Sequence, residues 1–490
     1  MSQNSNQAPL SADADPVHGL GAVDRSVRFP VLILMGLSLL WLLTATVLSV
    51  MASFKLHTPG FLADHEWLTY GRVRPAATTA MIYGWATNAA FALAVWLMAR
   101  LSRARLLHGG LVIVGAVFWN LGVDLGIAGI LLGKGLPYEW MALPGYSGPL
   151  LLVAYILMAI WVVNTFRYRQ DRHVYVSQWF LLAALFSFPW VFSVAQIMLV
   201  QMPVRGTMQA LVGAWYAQNL IGLWLMPVGL ASAYYFIPKV LGKPIHSYYL
   251  AVVGFWSLIF AVCWSGPARL VGGPIPAWVI SAGIVGCVLL LIPVVVTTVN
   301  LHLTTLGSFR QVWNSPTLRF VVLGSVAFTL VAFLWAITSF RTVAEVTHFT
   351  LVEEALNQLA VYGFFSMTAF GGFYFIVPRL LEKEWPSASL VSLHFWSVVL
   401  GFLILMVGLF LGGVLQGLWM NDPVLFPEWV TIVHSLVPYL LTGTVGWILI
   451  LLGHLTFLIS FIWMLISPRS NEVTEPTLFA SSAALKSSAS

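Results

Sequence analysis

Few side chains in the hydrophobic parts of this sequence could bind an ion or carry a proton. We single out seven carboxylates and amides inside or at the edge of long apolar stretches: Asp124, Gln218, Asn219, Glu353, Glu354, Asn357 and Gln358. An ionisable group inside an apolar span is costly unless it is paired or hydrated, so each is a candidate functional residue. Together they could line a path for ions or a small polar molecule.

The three carboxylates also have a structural interpretation. Glu353 and Glu354 fall in the first turn of a predicted helix, where the positive end of the helix dipole favours carboxylates and solvent can reach them. Asp124 could be a protonated carboxyl that hydrogen-bonds to a neighbouring helix near Asn120, one turn away. The sequence leaves both roles open.

Residues that ligate soft metals are scarce. Cys263 and Cys287 are the only cysteines, and both lie in apolar stretches with no second thiol at metal-site spacing, which predicts buried core residues. Of the eleven histidines, only His454 falls inside a predicted span. We expect the other ten, in tails, loops or at helix mouths, to be solvated or interfacial.

The elements that position these residues are predicted to be membrane helices. The chain has 490 residues, of which 59% are hydrophobic and only 8% charged, against roughly 25% charged in soluble domains. Apolar runs long enough to cross a bilayer predict an all-α protein of twelve transmembrane helices. They lie near residues 30–53, 76–99, 110–133, 147–165, 177–201, 208–237, 248–264, 277–300, 320–340, 354–377, 389–416 and 437–467.

Charge distribution predicts the orientation of these helices. Of the 23 lysines and arginines, 16 fall in the tails and alternate loops of one face, so that face is expected to be cytoplasmic, with both termini. The net charge of +6 is therefore a topology signal and gives no indication of nucleic-acid binding. Residues 1–27 and 469–490 are small and polar, which predicts disordered cytoplasmic tails around a membrane domain at 28–468.

Several phrases resemble subunit I of the cbb3-type haem-copper oxidases, over nearly all of residues 28–467. The tenth span begins H-F-T at His348 and ends Y-x-x-x-P-R at Arg379. The second begins Y-G-R-x-R-P at Tyr70, the sixth contains W-Y-x-x-N and exits through Y-Y-F-x-P-K, and the eleventh begins L-H-F-W. The resemblance implies the twelve-helix fold of that subunit in a bacterial inner membrane, with two haems, one copper and other respiratory subunits as partners.

The same resemblance implies six histidine ligands, and none of them is present. Ala77 stands at one axial position of the low-spin haem, while Leu356 and Gln358 replace the two haem ligands of the tenth helix. The copper-ligand positions hold Gln218, Ala268 and Arg269. Leucine and alanine have no lone pair for a metal, and an amide oxygen is a poor substitute for imidazole.

Further positions of the family's chemistry are also replaced. Val262 stands at the redox tyrosine and Leu334 at a proton-route glutamate. Arg72 and Arg74 are kept, either as loop arginines bound to backbone carbonyls or headgroups, or as propionate anchors if a haem is present. We also expect the four amides Gln218, Asn219, Asn357 and Gln358 to converge and hydrogen-bond one another, because lone amides are costly in lipid.

Three functions follow from these observations. The first is a non-catalytic paralogue of oxidase subunit I without haem or copper, acting as a structural or assembly component of a respiratory membrane complex. The second is a carrier or channel for ions or a small molecule, lined by the seven polar residues above. The third is a working oxidase subunit, which would need ligands other than the six expected histidines.

Overall fold

The structure is a computed structural model that describes residues 16–467, and all regular elements in that range are helices. Twelve helices are long and apolar enough to cross a membrane, which confirms the predicted set. We number them α1 to α12: Leu20–His57, Tyr70–Ser102, Gly109–Lys134, Ser147–Arg167, Val176–Gln201, Thr207–Leu241, Tyr248–Leu270, Ala277–Thr305, Pro316–Ser339, Leu351–Leu381, Ala388–Met420 and Trp429–Ile466.

The first helix starts earlier than the sequence suggested. It is helical from Pro16, so the prediction of a disordered tail up to residue 27 is wrong for residues 16–27. Asp24 in this extension pairs with Arg100 at the end of α2, with 2.6 Å between Oδ2 and Nη1. The Leu106 N–H donates to Ser26 Oγ at 3.0 Å. These contacts hold the extension against the rest of the protein; the other predicted tail residues lie outside the described range.

Three helices form the centre of the bundle. The most apolar part of α2 and of α10 is entirely buried, and that of α6 is 94% buried, against 39% for α4, α8 and α12. The remaining nine helices surround these three and turn their exposed aliphatic side chains outward, as expected of surfaces that face lipid. Residues on α2, α6 and α10 are therefore the ones that can share an interior site.

Each central helix contains one wide π turn. These turns cover Ala80–Ala86 in α2, Leu220–Leu225 in α6 and Leu359–Ser366 in α10. Each begins within three residues of a position where the resemblance places a metal ligand. Single π turns are frequent at functional sites because they re-aim the side chains around them.

Aromatic rings fill much of the interior at these turns. Trp224 on α6 packs on Tyr155 with ring centroids 5.4 Å apart, and Trp85 on α2 packs on Phe370 at 5.1 Å. Both indoles are fully buried, and Trp85 Nε1 donates to Ser366 Oγ at 2.8 Å. Buried aromatic pairs contribute about 0.5–1.5 kcal/mol beyond their area, so this layer fixes the relative positions of the central helices.

Close approach of α1 to α2 depends on one glycine. A Cβ atom built on Gly84 would lie 2.5 Å from Cγ of the Trp41 ring. The Trp41 indole lies over this glycine and donates from Nε1 to Asn120 Oδ1 on α3 at 2.7 Å. The contact therefore ties α1, α2 and α3 together.

Candidate functional site

The six residues that the resemblance places at ligand positions line two cavities. The first cavity, of about 70 Å³ between α6, α7 and α10, is lined by the residues Gln218, Ala268, Arg269 and Leu356. The second cavity, of about 110 Å³ between α2 and α10, is lined by the residues Ala77 and Gln358. The copper-ligand positions thus share one cavity with Leu356, and Ala77 at the low-spin haem position faces the same cavity as Gln358.

A glutamate from outside the membrane helices organises the first cavity. Glu139, in the connection between α3 and α4, pairs with Arg269 at 2.7 Å and accepts a hydrogen bond from Asn357 Nδ2 at 2.9 Å. Arg269 thus has a protein carboxylate as its partner. The Gln218 side chain is 3% exposed, and its Nε2 finds no hydrogen-bond partner within the described range.

His348 and Glu353 also line the first cavity and contact each other. His348 Nδ1 lies 2.7 Å from Glu353 Oε1, and the Phe349 N–H donates to the same oxygen at 3.4 Å. Glu353 is partly exposed in the first turn of α10, which agrees with the predicted solvated first turn. His348 is a specific partner of the Glu353 carboxylate that the sequence did not indicate.

The second cavity is closed at its mouth by an arginine, a glutamate and a glutamine. Arg74 on α2 pairs with Glu354 on α10, and Gln358 Nε2 donates to Glu354 Oε1 at 2.8 Å. Arg72, by contrast, donates from Nη1 to the Leu131 carbonyl at 3.2 Å, which is the backbone role predicted for it. Glu354 therefore satisfies both Arg74 and Gln358.

The expected network among the four amides is wrong. All four are buried, but Asn219 Nδ2 donates to the Trp215 carbonyl at 2.8 Å, while Asn357 and Gln358 donate to glutamates. Gln218 faces the first cavity and Gln358 the second. Charged carboxylates and nearby helix carbonyls are better acceptors than a distant amide, so three of the amides donate to those groups, while Gln218 Nε2 has no partner in the described range.

Asp124 lies apart from both cavities. Its side chain is on the outer face of α3, exposed beside α1, and it lines a surface groove rather than the interior. Asn120 is committed to other partners: Trp41 and Asn88 donate to its Oδ1, and its Nδ2 donates to Asn88 Oδ1 and the Ala116 carbonyl. The predicted hydrogen bond of Asp124 near Asn120 is therefore not formed, and Asp124 does not join the other six polar residues.

Sequence reasoning also missed two buried interactions. His394 near the start of α11 is fully buried, with Nδ1 2.8 Å from the Tyr374 hydroxyl, so the expectation of a solvated imidazole is wrong there. His454 on α12 lies inside the bundle as predicted, between Tyr362 and Thr46 at 2.7 and 2.8 Å. The loop residue Glu139 carried no signal in its flanking sequence; the apolar periodicity around His394 could have indicated burial.

The residues present do not fit a haem or a copper ion. A cavity of about 150 Å³ is needed to accept a benzene ring, and the two cavities here measure about 70 and 110 Å³. His348 is the only imidazole that lines either cavity within residues 16–467, and it is paired with Glu353. In the same range, no three His, Cys, Asp or Glu side chains are grouped to hold a metal. The absence of haem and copper stays a prediction.

Comparison with known proteins identifies the family. Residues 30–469 match the family model of the cytochrome c and quinol oxidase polypeptide I. The chain is 28% identical to a cytochrome c oxidase subunit 1 homolog of Azorhizobium caulinodans, over 86% of this chain and 78% of that protein. It is 26% identical to the cbb3-type cytochrome c oxidase subunit CcoN1 of Stutzerimonas stutzeri, over 86% of this chain and 90% of that protein.

A solved structure shows the same fold. A haem-copper terminal oxidase dimer studied by cryo-EM superposes with a TM-score of 0.74 and 13% sequence identity, over 91% of this chain and 85% of that chain. The predicted resemblance and the twelve-helix arrangement are therefore confirmed. The chain belongs to the cytochrome c and quinol oxidase polypeptide I family and is a cytochrome c oxidase subunit I-like membrane protein.

Proposed function

We propose that this chain is a non-catalytic paralogue of cytochrome c oxidase subunit I, which acts as a structural or assembly subunit of a respiratory complex in the bacterial inner membrane. The observation that carries the proposal is the lining of the two cavities. The positions that converge there hold Ala77, Leu356 and Ala268, which cannot ligate a metal, and Gln218, Gln358 and Arg269, which are poor or repulsive ligands.

The charges around the cavities support the same proposal. If a haem were present, Arg72 and Arg74 at the start of α2 could bind its propionates. Here Arg74 is neutralised by Glu354, and Arg269 by Glu139. Because protein carboxylates already satisfy both guanidinium groups, neither arginine needs an anionic cofactor for charge balance.

The carrier hypothesis has less support than the structural one. It required seven polar residues to line one path. Asp124 is instead on the outer face, and Gln218 and Gln358 line different cavities. Glu353 is paired with His348, and Glu354 with Arg74. We infer from the charge split that both termini are cytoplasmic, and we expect other respiratory subunits and lipid, rather than nucleic acid, as partners.

A complementation experiment tests the structural role. Deletion of the gene is expected to lower the amount of an assembled respiratory complex on native gels of membranes, and the wild-type chain should restore it. The Gln218→Leu variant should restore it equally, because Gln218 Nε2 makes no hydrogen bond in the described range. Loss of complementation by a folded Gln218→Leu chain would contradict a purely structural role and favour chemistry or transport at the first cavity.

A further inference from the structure

The groove that contains Asp124 is the most unusual feature of the outer surface. It runs between α1 and α3, has a volume of about 410 Å³, and is open to the outside of the bundle. We call it the Asp124 groove, and it is lined by Leu37, Leu40, Trp41, Thr44, Asn120, Asp124, Ile127, Ala128 and Leu131. Apart from Asp124 and the polar groups of Trp41, Thr44 and Asn120, which hydrogen-bond within the chain, these side chains are apolar.

Asp124 lies near the middle of the membrane-spanning helix α3. It is 15 residues from the start of α3 at Gly109 and 10 from its end at Lys134, which corresponds to roughly 22 Å and 15 Å along the helix. A lipid headgroup at either end is therefore too far away to pair with it. A carboxylate at this depth is costly unless something donates a hydrogen bond or a positive charge to it.

The chain itself supplies no such donor in the described range. No hydrogen bond or ion pair to Asp124 is found among residues 16–467. The nearest donors are committed elsewhere: the Thr44 hydroxyl donates to the Leu40 carbonyl at 3.0 Å, and Trp41 Nε1 donates to Asn120. The carboxylate is thus left for a group outside this chain.

We propose that the Asp124 groove is the docking site of a transmembrane helix from a partner subunit, and that this helix carries a basic or hydrogen-bond-donating side chain at the depth of Asp124. The shape fits, because residues from successive turns of both α1 and α3 line the groove, as in a helix-binding groove. A lipid acyl chain has no donor to offer. A second copy bound through the same groove by two-fold symmetry would bring two Asp124 carboxylates together.

This inference goes beyond the proposed function, because the groove would bind a helix whether or not the chain reduces oxygen. A second groove provides the matched control. It lies between α7 and α8, has a volume of about 330 Å³, and is lined without any charged residue, by Phe260, Ala261, Trp264, Ser281, Ala282, Val285, Gly286 and Leu289. Leu40 in the first groove and Val285 in the second are each 56% exposed.

Binding of synthetic helices in lipid vesicles tests the chemistry. The probe is a Leu/Ala peptide of about 20 residues, long enough to span the bilayer, with one central lysine; the comparison peptide has leucine there. Energy transfer to the full-length protein should show the lysine peptide binding about fivefold more tightly, the effect of one good interhelical hydrogen bond. Asp124→Leu should abolish this preference, and Val285→Ala should leave it unchanged.

Equal binding of the two peptides to the wild-type protein would overturn the proposal, as would a lysine preference that survives in Asp124→Leu. Circular dichroism checks that the variant is folded, and Asp124→Asn, which keeps the shape, should retain part of the preference. A homodimer that Asp124→Leu dissociates would also overturn it, in favour of a second copy.

Photocrosslinking in native membranes tests the partner directly. A photoreactive residue at position 40 should yield an adduct with a membrane protein whose crosslinked span contains Lys, Arg, His, Asn or Gln, and Asp124→Leu should reduce its yield at least about fivefold. The same probe at position 285 should not give that adduct. The proposal would be overturned if the crosslinked span of the partner contained no such residue. It would also be overturned if the adduct formed in the same yield with the Asp124→Leu variant.

Discussion

The ion pair at the mouth of the second cavity gives the most informative stability prediction. Changing Glu354 to Gln removes the charge that neutralises Arg74 but keeps an oxygen that can accept from Gln358 Nε2. The side chains of Arg74 and Glu354 are 32% and 20% exposed, so the pair lies between the fully exposed and fully buried cases. Exposed pairs contribute about 0–1 kcal/mol, whereas breaking a buried pair costs about 3–5 kcal/mol.

We therefore expect Glu354→Gln to lower the free energy of unfolding by about 2 kcal/mol. Glu354→Ala should cost about 1 kcal/mol more, because the Gln358 amide then loses its acceptor. The assay is SDS-induced unfolding of the purified protein in mixed micelles, followed by circular dichroism. The exposed Glu345, on the short helix Arg341–Thr347, provides the control, and Glu345→Gln should change stability by less than about 0.5 kcal/mol.

A double-mutant cycle that combines Glu354→Gln with Arg74→Met measures the free energy of interaction between these two side chains, apart from their other contacts. Residues in direct contact usually show a coupling free energy of about 0.5–3 kcal/mol, and we expect about 1–2 kcal/mol here. A coupling below about 0.3 kcal/mol would contradict a direct ion pair between Arg74 and Glu354. It would mean that Arg74 is satisfied by something other than Glu354, and a bound anion would become the first alternative to examine.

Three further predictions concern packing, a buried hydrogen bond and topology. Gly84→Ala should lower the free energy of unfolding by about 1–3 kcal/mol, because its Cβ would meet the Trp41 ring at 2.5 Å; an unchanged unfolding midpoint in SDS would contradict that contact. Tyr362→Phe should cost about 1–2 kcal/mol in the same assay, since it leaves His454 Nε2 buried and unpaired; a neutral effect would show that the hydrogen bond is not formed. A reporter fused after Ser490 should be active only in the cytoplasm, and periplasmic activity would reverse the assigned orientation.

Sequence reasoning recovered the parts of the structure that the membrane and the family phrases determine. The twelve spans follow from the length of apolar segment that a bilayer requires. The phrases on α6 and α10 place Gln218 and Leu356 on central helices, and both residues line the first cavity. A matching phrase shows which position along the family's helix a residue occupies. The family fold then shows which other residues lie near that position.

Other features could not be read from the sequence because they depend on tertiary packing. The outward rotation of Asp124 is set by how α3 meets α1 and α4, which the near-uniform apolar composition of α3 does not reveal. Glu139 reaches Arg269 and Asn357 from a connection whose path is irregular. His394 is buried because Tyr374 on α10 and Phe457 on α12 cover it at the start of its helix.

The proposal that this chain holds no haem or copper is tested most directly by a pyridine haemochrome assay with copper analysis on the purified chain, freed of other subunits. We expect neither haem nor copper in stoichiometric amount, and no oxygen consumption with a reduced donor. The reason is that none of the six residues at the expected ligand positions is a histidine: Ala77, Gln218, Ala268, Arg269, Leu356 and Gln358. One or more haems per chain would contradict it and would direct the search for ligands to His348, His394, His434 and His454.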